Sequence, residues 1–61
     1  MNLIIDKINK GYFLELEKDG EIMDKAMYIG IPLKNVIKEF RTYNNLKGKK
    51  LITKKLFNED K

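Results

Sequence analysis

The feature that most constrains the fold of this chain is the Asp19-Gly20 pair, which separates two runs of alternating apolar and polar residues. Asp-Gly is a preferred sequence for the two-residue type I′ turn, because both turn residues there must take positive φ. The preceding run, residues 12–17, alternates with the period of a half-buried strand. The pair therefore predicts an antiparallel hairpin, and a chain of 61 residues has room for one small core around it.

A second hairpin is predicted ahead of the first. Residues 3–8 are rich in β-branched side chains and are followed by Asn9-Lys10-Gly11, which suits a three-residue loop in which Gly11 takes positive φ. In the resulting sheet, one face collects the apolar residues Ile4, Ile8, Tyr12, Leu14 and Leu16. Asp6 also falls on that face and does not fit it.

The third strand, predicted at 22–29, carries a charge conflict. A regular pairing across Asp19-Gly20 sets Glu15 opposite Asp24, and like charges directly opposite each other are unfavourable. A β-bulge at Asp24-Lys25 would bring Lys25 next to Glu15 instead.

One helix is predicted after Gly30-Ile31-Pro32, since Pro is favoured at the start of a helix. Its apolar stripe has spacings of three and four, and consists of Leu33, Val36, Ile37, Phe40 and Tyr43. The helix should end near Asn44-Asn45, because Asn tolerates the left-handed conformation. No Ser, Thr or Asp caps its start, so packing must hold it in place.

The C-terminal segment predicts a fourth strand at about 49–54, with a short helix as the alternative, and a frayed tail at 58–61. The fold class is therefore α+β, a three- or four-stranded antiparallel β-meander with one α-helix packed across one face. Residues 1–57 form a single small domain in this interpretation.

The residue types that the sequence lacks exclude several classes of function. The chain has no Ser, Cys, His, Trp or Gln, so it offers no disulfide, no thiolate metal site and no imidazole base. Thr42 and Thr53 have no accompanying base. We expect no enzyme, no cofactor, no metal and no small-molecule substrate. The apolar runs are too short for a signal peptide or a membrane span, which predicts a cytoplasmic protein.

The charge is unevenly distributed along the chain. Residues 1–30 carry four Lys against six acidic residues, and residues 31–61 carry nine basic residues against three acidic ones. The candidate anion or nucleic-acid residues are Lys34, Lys38, Arg41, Lys47, Lys49 and Lys50. Tyr43 or Phe57 could stack on a base. The alternative is that the lysines are solvated and reflect AT-rich codon usage.

The back of the predicted sheet is a second candidate surface. In the simplest register it carries the protein-interface candidates Leu3, Ile5, Phe13, Ala26 and Tyr28. One helix covers only one side of a sheet, so a second apolar face needs a cover. Either a protein partner, including a second copy, covers this face, or the C-terminal Leu51, Ile52, Leu56 and Phe57 fold back over it.

An acidic cluster is the third candidate. Glu15 and Glu17 project from one strand face with Asp24 across the hairpin, and three carboxylates could hold a divalent cation. The alternative is a solvated strand face balanced by Lys7 and Lys25.

A run of short motifs over residues 11–50 resembles small phage and prophage proteins of AT-rich bacteria. These motifs are Gly11-Tyr12, Asp19-Gly20, Tyr28-Ile29-Gly30, Leu33-Lys34, Ile37-Lys38, Phe40-Arg41 and Leu46-Lys47-Gly48-Lys49-Lys50. Pro32 departs from the pattern, since it stands where a polar cap residue is expected. The resemblance implies a class only, namely small domains that bind a host or phage protein, sometimes as inhibitors.

The function expected from these observations is a non-catalytic module that binds another protein. A small basic nucleic-acid-binding protein is the alternative.

Overall fold

The computed structural model describes residues 1–58 and contains four strands and one helix. In chain order these are β1 (Asn2–Ile8), β2 (Gly11–Lys18), β3 (Glu21–Ile29), α1 (Leu33–Tyr43) and β4 (Ile52–Lys55). The predicted α+β class with one helix is confirmed. Of the predicted frayed tail, residues 59–61 lie outside the described part of the chain.

The sheet is mixed, which corrects the predicted purely antiparallel meander. Its strand order is β3-β2-β1-β4, and β4 pairs with β1 in parallel. β3 and β1 run in the same direction, because each is antiparallel to β2. The connection through α1 returns the chain to the end where β1 begins, so β4 starts level with Asn2 and runs alongside β1.

The first turn is one residue shorter than predicted, and this decides which side of β1 is buried. Ile8 pairs with Gly11, and Lys10 takes the positive φ, at 67°. A one-residue change of register exchanges the two faces of a strand. Leu3 and Ile5 therefore lie opposite Leu16 and Leu14, and both are fully buried beneath the helix.

The predicted assignment of Ile4 and Ile8 to the helix face is wrong for the same reason. Both lie on the opposite face of the sheet and are half-buried. Asp6 lies there too, opposite Phe13, so the misfit of an acidic residue on the core face disappears.

The Asp19-Gly20 turn and the expected bulge are both present. Both turn residues have positive φ, as a type I′ turn requires. The register shifts between Leu16 and Glu17, which leaves Met23 as the extra residue, one position before the predicted site. Glu15 then pairs with Lys25, as predicted, and the like-charge conflict is removed.

The helix packs on the sheet through Val36 and Phe40, which are fully buried. No side chain caps its start at Pro32, as predicted. It ends at Tyr43 with Asn44 as the C-cap, and Asn45 takes a left-handed φ of 57°. The Leu46 N–H donates to the Arg41 carbonyl at 2.7 Å, which completes a Schellman motif and leaves Leu46 buried.

The C-terminal segment packs on the same side of the sheet as α1. Leu51 and Phe57 contact the core, and the Phe57 ring lies 5.9 Å from the Tyr12 ring. Ile52 and Leu56 are exposed. Of the two alternatives for the back of the sheet, the one in which this segment folds over it is therefore wrong: Leu51 and Phe57 pack on the core, and Ile52 lies on that face only as a residue of β4. In residues 1–58, no helix is long and apolar enough to cross a membrane.

Candidate functional surfaces

The back face, defined as the side of the sheet opposite α1, carries an uncovered apolar band. The cross-strand pairs place Phe13 beside Met27, and Gly11 between Ile8 and Ile29. The band consists of Ile4, Ile8, Phe13, Met27 and Ile29. Met27 is 61% exposed and Ile29 is 54% exposed. Two further isoleucines, Ile22 and Ile52, lie at the opposite end of this face.

One charged residue of the back face, Asp6, lies within the apolar band, between Ile4 and Ile8 and opposite Phe13, and the others lie in neighbouring rows. Glu15 is flanked by Lys25 on β3 and by Ile4 on β1, and Lys54 follows on β4. Glu17 accepts a hydrogen bond from the Asn2 side-chain amide at 2.9 Å. With Asp6, the face carries three carboxylates and two ammonium groups, a net charge of −1 on a chain of net charge +4.

Four of the five predicted interface residues lie elsewhere. Leu3 and Ile5 belong to the core because of the shorter first turn. The bulge at Met23 sets Ala26 opposite Leu14, and it also sets Tyr28 opposite Tyr12, so both face the helix. Of the predicted set, Phe13 alone lies on the back face. Ile4, Ile8, Met27 and Ile29 take the place of the others. The awkward position of Asp6 was the sequence signal for Ile4 and Ile8, and the conflict between Glu15 and Asp24, which called for a bulge, was the signal for Met27 and Ile29.

Three of the predicted basic residues meet at the end of the helix. Lys38, Arg41 and Lys47 line a cleft of about 160 Å³, the basic cleft, together with Thr42 and Gly48. The Nη2 group of Arg41 donates to the carbonyls of Leu46 and Lys49, at 3.3 and 2.5 Å. These bonds fix the guanidinium against the turn that follows the helix.

The remaining predicted basic residues lie around the basic cleft. Lys34 is two helical turns before Arg41, about 10 Å along the axis on the same side. Lys49 is tied to Arg41 through its backbone carbonyl, and Lys50 is the next residue of the exposed connection. These three extend the positive surface but do not line the cleft.

A second, larger depression adjoins the basic cleft on the outward side of α1. This helix groove, of about 480 Å³, is lined by Asn35, Lys38, Glu39, Thr42 and Tyr43. Lys38 and Thr42 line both depressions. Tyr43 was predicted within the apolar stripe, but it is 80% exposed because it lies at the margin of the stripe in the last helical turn. Asn35, Glu39 and Thr42 were missed, although their helical spacing puts them on one polar face.

Two residues that line the helix groove, Glu39 and Tyr43, lie near Tyr28 of β3. Burial raises the pKa of the Tyr28 phenol above its usual value of 10.0, and the negative charges of Glu39 and Asp24 and the nearby Tyr43 raise it further. Glu39 and Tyr43 therefore lie on the side of the helix that faces β3, whereas Arg41 lies on the side that faces the C-terminal segment.

Phe57 was the other aromatic residue predicted to stack on a base. Its ring is tilted 48° against the Tyr12 ring and packs on the core, so it takes part in the fold instead. Tyr43 is thus the aromatic residue beside the basic surface that remains open.

The predicted acidic cluster is not assembled. Glu15 and Glu17 lie on the back face, but the bulge sets Asp24 opposite Leu16 on the helix face. Among residues 1–58, no group of three or more acidic side chains is placed to hold a metal ion.

Comparisons with family models, with curated proteins and with solved structures found no match for this chain. The resemblance to small phage proteins stays a prediction.

Proposed function

We propose that this chain is a non-catalytic binding module that acts in the cytoplasm by protein–protein contact, as an accessory or host-interaction protein of the phage type. The observation that carries the proposal is the apolar band of the back face. Neither α1 nor the C-terminal segment covers it, because α1, Leu51 and Phe57 pack on the other side of the sheet and β4 lies at its edge.

The size of the back face supports an interface. The four strands contain 28 residues, namely seven in β1, eight in β2, nine in β3 and four in β4. At about 3.3 Å along and about 4.8 Å across the sheet per residue, they span roughly 440 Å². Roughly half of the side chains on this face are apolar. Apolar patches of a few hundred Å² on small proteins are often functional. Met27 and Ile29 expose more than half of their surfaces there, on an edge strand that has no neighbour in the described chain.

A second copy of the chain is the occupant that the charges favour. The back face is nearly neutral, and its carboxylates and ammonium groups can pair across a two-fold axis, as in a self-complementary interface. Two such faces would bury about 900 Å² in total, slightly less than the roughly 1,000 Å² expected of a specific, stable interface. We therefore expect a weak, reversible dimer.

Light scattering over a range of protein concentrations tests the proposal, with Met27→Lys as the disrupting variant. Met23→Lys is the matched control, because Met23 is similarly exposed on the same strand but lies about 13 Å from Met27. We expect the wild type and Met23→Lys to approach the dimer mass as concentration rises, in low and high salt alike. Met27→Lys should stay monomeric. A wild type that is monomeric at every concentration would contradict self-association.

A further inference from the structure

The outward side of α1 combines two depressions of different character. The basic cleft and the helix groove lie side by side, and both are bordered by Lys38 and Thr42. Both lie on the opposite side of the molecule from the back face, so what they bind is independent of the interface proposed above.

The basic cleft has the size and charge for one phosphate group. A water molecule occupies about 30 Å³ in the liquid, so 160 Å³ holds about five waters. That space accepts a phosphate but is well below the roughly 300 Å³ of the smallest drug-sized pockets. Three cationic side chains line it, namely Lys38, Arg41 and Lys47.

Arg41 is already ordered for such a role. Both of its hydrogen bonds to the turn use Nη2, which leaves Nε and Nη1 as donors for a ligand. A guanidinium that is held in place before binding loses less side-chain entropy when it meets a phosphate.

The helix groove contains an aromatic ring and polar side chains that can bind a base. Tyr43 presents an aromatic ring that is 80% exposed, and stacking of a base on such a ring contributes about 1–3 kcal/mol. The Asn35 amide and the Glu39 carboxylate line the same groove. These side chains can hydrogen-bond to the edges of adenine and cytosine, respectively.

Two negative features of α1 are kept away from the phosphate position. Glu39 and Arg41 are two residues apart, which places them about 160° apart around the helix axis. The second negative feature is the C-terminal end of the helix, where backbone carbonyls have no partner inside the helix. Here the carbonyls of Phe40, Arg41 and Thr42 accept hydrogen bonds from backbone N–H groups that follow the helix, and the Asn44 side chain also donates to the Phe40 carbonyl.

We infer that α1 binds a single strand of nucleic acid that crosses the helix over Lys38 and Thr42, which border both depressions. A phosphate would lie in the basic cleft on the Arg41 side, and a base further along the same strand would stack on Tyr43 on the side that faces β3. Both depressions are open, so a free nucleotide would remain largely in water and bind weakly. A longer strand gains further phosphate contacts from Lys34, about 10 Å from Arg41 along α1, and from Lys49 and Lys50 in the exposed connection that Arg41 contacts. A duplex would not offer an unstacked base face to Tyr43.

Fluorescence anisotropy with a labelled single strand of about eight nucleotides, close to the usual site sizes, tests this inference on the full chain. With three or four phosphate contacts, log K should fall with log salt at a slope of about −2 to −3. Tyr43→Ser should weaken binding about tenfold or more without changing the slope, because it removes stacking alone. Lys38→Glu should weaken binding and also make the slope shallower.

Lys18→Glu is the matched charge control, since Lys18 is exposed at the end of β2 and far along the chain from α1. It should have much less effect than Lys38→Glu. Equal losses in the two charge variants, or unchanged binding by Tyr43→Ser, would overturn the inference. So would a duplex or a mononucleotide that binds as tightly as the single strand. Circular dichroism melting of each variant verifies that the fold is retained.

Discussion

Gly11 is the residue at which this fold tolerates a side chain least. A Cβ atom built there would lie 2.0 Å from the Tyr28 carbonyl oxygen, which belongs to the backbone of β3 and cannot rotate away. β2 and β3 would have to separate to admit it.

Gly11→Ala should therefore lower the free energy of unfolding by about 2 kcal/mol or more, because overpacking that displaces backbone typically costs 1–3 kcal/mol. Gly20→Asn is the control, since nothing lies near that position and Asn tolerates positive φ. Urea unfolding of both variants measures the difference. Equal stability of the two would show that the close approach of Gly11 to Tyr28 is wrong.

Arg41 is a second single residue on which the fold depends, because its guanidinium joins the helix to the turn that follows it. Arg41→Lys keeps the charge, but the lysine side chain is one atom too short to bring its nitrogen to the Nη2 position that donates to both carbonyls. We expect a loss of about 1 kcal/mol in stability and faster amide hydrogen exchange at residues 46–49. Unchanged exchange in that turn would contradict the role assigned to Arg41.

Single residues also explain why the predicted register of β1 was wrong. The loop Asn9-Lys10-Gly11 admits two readings, because Gly is the usual residue for positive φ but Lys10 takes it here. The two-residue loop moves the register of β1 by one residue. As a result Leu3 and Ile5 face the helix, and Ile4 and Ile8 lie on the back face. Local propensity does not distinguish the two registers. Asp6 does distinguish them, because the register with the three-residue loop places this acidic residue on the core face. That conflict was visible in the sequence.

At the scale of elements, the strands and the helix were predictable because each has a local cause. The Asp19-Gly20 turn, the period-two alternation of β2 and the stripe of α1 all lie within short windows. The parallel pairing of β4 with β1 joins residues about fifty positions apart. No local pattern in the four residues of β4 encodes its partner or its direction.

The helix has no side-chain cap, so its stability should depend on its buried stripe. Phe40→Ala should cost about 3–5 kcal/mol, because the ring is fully buried in the core. Tyr43→Ala in the next turn should cost less than about 1 kcal/mol, because that side chain is exposed. Thermal or urea unfolding of the pair measures both values. Similar losses would mean that Tyr43 belongs to the core after all.

At the scale of the whole molecule, the two sides of the sheet have different roles. One side buries the core beneath α1 and the C-terminal segment, and the other leaves its apolar band uncovered. The basic surface lies on the outward side of the helix, so a dimer formed through the back faces would present two basic surfaces pointing away from each other. The band could be anticipated as a surface in need of a cover, but its members depended on the registers of β1 and β3.

The most direct test of the back-face interface is a concentration series of NMR spectra, recorded from dilute to concentrated protein. Because a reversible dimer through the apolar band changes the surroundings of that band alone, the shifts should move at Ile8, Phe13, Met27 and Ile29 and stay constant along α1. Shifts that move along α1 instead, or that do not move at all, would contradict an interface on the back face.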